Sequence, residues 1–225
     1  MGTGENMLVY GKNVLYETDK SKIKKVYISR KSYIDYLKQE KIKFEIVDNI
    51  RLDKMVFGNH QGVVLDIDEF EYKDLKSIDS DFVVVLDHLS DPYNFGAIIR
   101  SCACAGVKDI IIPNMRSVSV NDTVIKVSAG NIDKVNIIRV SNLNNALNTL
   151  KKKGYFIYSS DMNGESYKNI DFSGKKVLVI GCEGTGVSKL VLDNSDVVVK
   201  IDIEENVESL NASVAAGILL FEMRD

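Results

Sequence analysis

No apolar run in this 225-residue chain approaches the ~20 residues that a membrane-spanning helix needs, which excludes a helical membrane protein. The opening MGTGENMLVYG lacks both the basic region and the apolar core of a secretory signal; Met7 reads as the natural start, after Met1 to Asn6. Cysteine is scarce: Cys102, Cys104 and Cys182 cannot all pair within one chain, so a reducing, cytoplasmic setting is expected. Only two histidines occur. His60 reads as a turn or cap residue and His88 as a structural one, and neither is expected to be catalytic. Cys102 and Cys104 lie two apart on an expected helix and face different directions, so no metal site is expected. Positive charge is short as well, because a net charge of −3 excludes an evenly basic nucleic-acid binder.

The distribution of charge says something different. Lys20, Lys22, Lys24, Lys25, Arg30, Lys31, Lys38, Lys41 and Lys43 stand against only Asp35 and Glu40 in one stretch. Such an excess can neutralise phosphates and release counterions, or can be a solvated lysine face. Tyr27, Tyr33 and Tyr36 in the same stretch suit either base stacking or burial.

Hydrophobic residues make up 45% of the chain, enough for packed cores. Apolar and amphipathic runs alternate: strands at 26–28, 44–47 and 62–67, and helices at 32–39 and 50–57, predict an α/β unit of about 60 residues. A polar stretch without clear periodicity, 68–77, reads as a linker. From Phe82 a second alternation predicts strands at 82–87, 110–112, 135–140, 155–159, 177–180 and 197–201. Helices are expected at 95–105, 123–129, 143–153, 188–192 and 209–223. The run 82–87 is apolar throughout, as a sheet covered on both faces requires, and a parallel doubly wound sheet is the natural solution.

Three loop-to-helix segments carry chemistry. In DPYNFGAIIRS, residues 91–101, Asn94 suits a helix N-cap and Arg100 a helix surface, but both follow a strand end where ligands of open α/β sheets sit. In VIGCEGTGVS, residues 179–188, the spacing of Gly181 and Gly186 fits a phosphate-binding loop, yet Val187 stands in place of its lysine. Glu183 in the middle repels phosphate, so a neutral or cationic ligand suits this loop better. In VESLNASVAAGILLFE, residues 207–222, Ser209 can cap the last helix and Asn211 can face a ligand at its positive end. Ala212, Ala215, Ala216 and Gly217 give that helix a small-residue face for close packing.

Together the three segments resemble the signature motifs of the SpoU (TrmH-like) family of RNA ribose 2′-O-methyltransferases, with the closest likeness to its RlmB-like branch, which methylates a guanosine of large-subunit ribosomal RNA. Asp91, Pro92, Asn94, Gly96 and Arg100 match the first motif; Gly181, Glu183, Gly184 and Gly186 the second; Ser209, Leu210 and Asn211 the third. The resemblance implies a SPOUT-type α/β domain over 81–225 whose parallel sheet ends in a trefoil knot. It also implies an RNA-binding domain over 7–67 resembling a ribosomal protein, a linker over 68–80, and a homodimer. S-adenosyl-L-methionine is the implied cofactor, a sulfonium without phosphates, held by Gly181, Gly184, Ile201 and Leu210. Arg100, Asn94, Glu183, Ser209 and Asn211 are the implied catalytic set, with Lys24, Lys25, Arg30 and Lys31 as RNA contacts. Because a guanidinium keeps its proton near neutral pH, Arg100 is expected to stabilise a developing alkoxide rather than to accept a proton. The chain departs from the family at Ile201-Asp202-Ile203-Glu204-Glu205, where relatives carry isoleucine-proline-methionine and a glycine. That departure leaves a non-catalytic RNA-binding module open, and a nucleotide-dependent enzyme is the third class.

Overall fold

A computed structural model describes residues 7–68, 70–204, 206 and 209–224. Residues 1–6, Glu69 of the expected linker, and Glu205, Val207 and Glu208 around the third motif lie outside the described residues.

The chain forms two compact units. The first opens with β1 (Met7–Tyr10), α1 (Lys12–Glu17), β2 (Ile23–Ile28), α2 (Ile34–Gln39), β3 (Phe44–Ile46), α3 (Asn49–Met55) and β4 (Val63–Ile67). Its sheet runs β1-β4-β2-β3, antiparallel except where β2 lies beside β3. β1 and α1 go beyond the sequence reading. Four residues are too few for alternation to register, and pairing with β4, from Met7 opposite Ile67 to Tyr10 opposite Val64, is what makes β1 a strand.

The second unit begins with β5 (Phe82–Asp87), α4 (Pro92–Ala105) and β6 (Asp109–Pro113). The chain then lends α5 (Asp122–Val127), within Val120–Asp133, to the first unit. By its contacts, then, the first unit includes a segment that lies within 81–225 in the chain. In the first unit Lys22 pairs with Asp133, whose Oδ2 also accepts from the Asp19 backbone N–H at 2.8 Å, and Lys126 Nζ stands 4.3 Å from the centre of the Tyr10 ring. These contacts join residues over a hundred positions apart, which local periodicity cannot report.

The rest of the second unit is β7 (Asn136–Val140), α6 (Leu143–Lys152), β8 (Phe156–Ser166), β9 (Lys176–Gly181), α7 (Lys189–Leu192), β10 (Val197–Lys200) and α8 (Ala212–Met223). The sheet order is β10-β8-β9-β5-β6-β7, parallel throughout, as the alternation predicts. Alternate sheet residues Val83, Val85, Ile111, Val177 and Val179 pack with Leu143, Leu147, Leu150 and Val191 of α6 and α7. Their neighbours Val84, Leu86, Ile110, Ile112, Leu178 and Ile180 are buried too, so both faces are covered. Each such side chain contributes about 1.5–3 kcal/mol on burial, which explains the unbroken apolar strands. Chain order reverses at β5, between β6 on one side and β9 on the other. Ligands of open parallel sheets sit at such a reversal, beyond the carboxyl ends of the strands.

Candidate active site

β5 and β9 end level with each other, Asp87 opposite Gly181, so the first two motifs start side by side. Asp87 is 1% exposed. Its Oδ2 accepts the Ser188 backbone N–H at 2.7 Å, and its Oδ1 bonds Nδ1 of His88. A buried carboxylate thus ties the exit of β5 to the start of α7, and no feature of the sequence beyond its place at a strand end marks it.

Asp91, not Asn94, caps α4. Its carboxylate accepts the backbone N–H groups of Tyr93 (3.2 Å) and Asn94 (3.0 Å), and Pro92 fills the first helical position, where no donor is needed. With the cap supplied three residues earlier, the Asn94 side chain is free for another use. It is buried, and its Nδ2 donates to Oε1 of Glu183.

Glu183 stands in a tight turn after β9. Cys182 N–H bonds Gly186 O at 3.2 Å and Gly186 N–H bonds Cys182 O at 2.9 Å, with Gly184 and Gly186 in the left-handed region at φ +83° and +66°. Gly181 has no room for a side chain, since a Cβ would lie 2.0 Å from the carbonyl carbon of Gly186. The glycines therefore let the loop fold back on itself, and Glu183 projects from it, exposed.

The third motif completes the cluster. Asn211, not Ser209, caps α8: its Oδ1 accepts the N–H groups of Ser213 (2.9 Å) and Val214 (3.3 Å) and the Ser213 hydroxyl (2.6 Å). That use fixes the amide's orientation and turns Nδ2 toward Glu183 Oε1, at 3.3 Å. One carboxylate oxygen so receives an amide from each of two helix N-termini, whose positive ends favour its charge. α4 packs against α8, with Gly217 facing Ser101, so the small-residue face serves contact within the chain.

Of the implied catalytic set, the structure brings together Asn94, Glu183 and Asn211. Arg100 lies six residues beyond Asn94, about 120° around the helix from it. It is exposed and makes no hydrogen bond or ion pair with a described residue. Ser209 is exposed outside α8, and Ile201 and Leu210 are half-buried at the two ends of the segment linking β10 to α8. A cleft of about 350 Å³ adjoins the glycine turn, lined by Asp87, His88, Cys182, Thr185, Ser188 and Lys189 among others. None of the four expected cofactor residues, Gly181, Gly184, Ile201 and Leu210, lines it.

In the first unit Lys24 is paired with Asp68 (3.1 Å) and Lys25 with Glu45 (2.7 Å), while Lys20 meets Glu40. The carboxylate beside it raises the Lys25 ammonium pKa, and the Lys25 ammonium lowers that of Glu45. Arg30 and Lys31 are exposed and have no ion pair among the described residues. Tyr33 is buried with its hydroxyl donating to Gln61 O (2.9 Å), and burial raises its pKa, so it is no stacking platform.

A parallel α/β sheet with three motif loops meeting at its point of reversal defines a class, and comparison supplies the family. Residues 81–221 match the SpoU rRNA Methylase family, and residues 8–73 match the RNA 2′-O ribose methyltransferase substrate binding family. The chain belongs to the SpoU methylase family of RNA methyltransferases. It is 36% identical over 233 residues to YacO of Bacillus subtilis (strain 168), assigned to the TrmH family of tRNA/rRNA methyltransferases, covering 96% of this chain and 94% of that one. A Staphylococcus haemolyticus (strain JCSC1435) protein assigned to the same family is 35% identical over 239 residues, with 97% and 95% covered. Among solved structures, the AdoMet-bound rRNA methyltransferase from Sinorhizobium meliloti superposes with a TM-score of 0.82 at 24% identity, covering 97% of this chain and 86% of that one. The SpoU methyltransferase AviRb from Streptomyces viridochromogenes, in complex with AdoMet, gives 0.81 at 22%, covering 97% and 89%. At those identities the likeness speaks to the fold alone.

Proposed function

We propose that this protein transfers a methyl group from S-adenosyl-L-methionine to a ribose 2′-hydroxyl of structured RNA in the cytoplasm, at a guanosine of large-subunit ribosomal RNA. The observation that carries the reading is the meeting of Asn94, Glu183 and Asn211, one residue from each motif, on a single carboxylate oxygen. The donor set fits the cofactor: an acidic turn without lysine repels phosphates and accepts a sulfonium. Gly181, Gly184, Ile201 and Leu210 would hold it. When bound, it would supply an electrophilic methyl group and leave as S-adenosylhomocysteine, the 2′-hydroxyl proton passing to solvent.

The chain's own residues do the rest. Arg100 donates to the 2′-oxygen as alkoxide charge develops there, and an exposed guanidinium with no polar partner among the described residues is available for that. Asn94 and Glu183 fix the first turn of α4, which carries Arg100, while Ser209 and Asn211 orient ribose or cofactor. Positioning supplies much of the acceleration. Val214, Ile218 and Phe221 recur along one side of α8, with Val214 and Phe221 49% and 46% exposed, which supports a homodimer formed through that helix. The segment after β10 would thread the knot.

Arg100→Ala should abolish methyl transfer to RNA from labelled S-adenosylmethionine while calorimetry finds cofactor affinity within about threefold of wild type; retained turnover defeats the assignment. The curated relatives are named for both transfer and ribosomal RNA, so transfer RNA is the second reading. Mapping 2′-O-methylation in cells with and without the gene separates the two.

A further inference from the structure

Phe57 is 96% exposed, more than any other large apolar side chain among the described residues. It opens the loop 57–62 between α3 and β4. The loop beneath it is tightly fastened. The Tyr10 hydroxyl donates to Phe57 O at 2.6 Å, and Gly58, at φ +130°, could carry no Cβ without placing it 2.6 Å from that hydroxyl. His60 is buried; its Nδ1 accepts the Gly62 N–H at 2.9 Å, so Nε2 carries the proton and donates to Asp53 Oδ1 at 3.0 Å. Gln61 Oε1 accepts the Lys12 N–H at 2.8 Å, and Gln61 O accepts the Tyr33 hydroxyl. A loop pinned at so many points, yet holding an aromatic ring in water, is organised in advance for a partner.

Three cationic residues touch this loop or its anchor. The Arg30 stem lies against Gly62, where a Cβ would meet Arg30 Cγ at 2.7 Å, and the Lys126 ammonium stands over the Tyr10 ring that anchors Phe57. Lys12 is exposed, and neither it nor Arg30 has an ion pair among the described residues, whereas Lys24 and Lys25 are taken by Asp68 and Glu45. The nearby carboxylate, Asp53, is engaged by His60. An exposed aromatic ring on a loop whose base and anchor carry Arg30, Lys12 and Lys126 complements a nucleobase flanked by phosphates.

We propose that Phe57 stacks on an unpaired base of the substrate RNA, with Arg30, Lys12 and Lys126 meeting the neighbouring phosphates. This rests on the RNA-methyltransferase reading and names the contact by which the small unit holds its substrate. A phenylalanine ring has no donors or acceptors with which to read a base edge, so the site selects an unpaired nucleotide rather than a sequence.

The test uses the full chain with two probes: an RNA hairpin carrying 2-aminopurine in its unpaired loop, and a fully paired RNA duplex of the same length. Phe57→Ala should weaken hairpin binding about tenfold or more, change duplex binding less than about twofold, and abolish the quenching of 2-aminopurine that wild type produces. Phe57→Trp should preserve both. Arg30→Gln should reduce the slope of log affinity against log salt by ~0.7. Calorimetry should find S-adenosylmethionine affinity unchanged in all three. Equal hairpin affinity and quenching in Phe57→Ala would overturn the stacking contact while leaving the methyltransferase reading intact. Conversion of a dimer to a monomer by Phe57→Ala, seen in sedimentation, would assign the ring to a second copy instead. A wild-type protein that binds neither probe but binds the cofactor would sink the RNA contact, and one that binds neither RNA nor cofactor would sink the function itself.

Discussion

Asn94→Asp exchanges one donor group for an acceptor at nearly constant volume and sets a second carboxylate against Glu183 Oε1. In the wild type an amide donates to a carboxylate there, a bond of about 1.5–3 kcal/mol because one partner is charged. In the variant that bond is lost and two negative groups face each other, a repulsion of about 4 kcal/mol at an effective dielectric near 20. Glu183 is exposed, so roughly half of that repulsion survives solvent screening. The loss comes to about 3.5–5 kcal/mol near neutral pH, and for a chain of this size each kcal/mol lowers the melting temperature by about 2–4 °C. Acid should restore stability. The two carboxyls can share a proton when folded that the unfolded chain does not bind at the same pH, so stability rises as pH falls. The deficit should therefore be largest near pH 8 and smallest near pH 4.5. Parallel calorimetric melts of variant and wild type at both values measure it. A deficit that is absent at pH 8, or the same at both values, refutes the Asn94–Glu183 contact.

Gly181→Ala should collapse the glycine turn, since its Cβ would sit 2.0 Å from backbone carbon; thermal melting should show a loss of several kcal/mol (about 3 or more), and calorimetry a loss of cofactor binding. Asn211→Ala removes both the α8 cap and the donor to Glu183, and loss of the cap should cost ~0.5–2 kcal/mol in denaturant unfolding; unchanged stability would contradict the cap. Burial drives the Cys102 thiol far above its ordinary pKa, so at pH 8 a thiol reagent should label exposed Cys104 rapidly and leave Cys102 untouched until the chain unfolds. Rapid labelling of Cys102, read by peptide mass, would contradict its place in the core.

The central sheet was legible because Val83 to Leu86 and Val177 to Ile180 are buried on both faces, and double burial writes itself as an unbroken apolar run. Elements fixed by distant partners were not. β8 continues past the expected 155–159 to Ser166 because the chain re-pairs with β10 after a register shift, Ser159 opposite Val198 and Glu165 opposite Val199. Its outer residues are polar and carry no strand signal. The structure brings residues of the three motifs together, but the capping roles expected of Asn94 and Ser209 fall to other residues. A cap is decided by which residue leaves helical geometry first, and Asp91 and Asn211 do so. The lysine excess likewise overstated the positive surface, because Glu45 and Asp68 approach Lys25 and Lys24 only in the folded sheet.

Two helix N-termini meeting at one point would ordinarily make an anion site, with free backbone donors and aligned dipoles ready for a phosphate. Here the protein's own side chains occupy it. Asp91 takes the free N–H groups at the start of α4, Asn211 those of α8, and Glu183 places a fixed negative charge against the side-chain amides of both helices. A triphosphate would meet a carboxylate where a nucleotide-binding loop offers lysine, and would find the backbone donors already satisfied. On the proposed reading a sulfonium would meet the opposite balance: one carboxylate, held by two amides, without a competing cation among its bonded partners. The residues that align α4 and α8 are thus the same ones that argue against nucleoside triphosphates at this turn, and the nucleotide-dependent class loses its footing on electrostatic grounds.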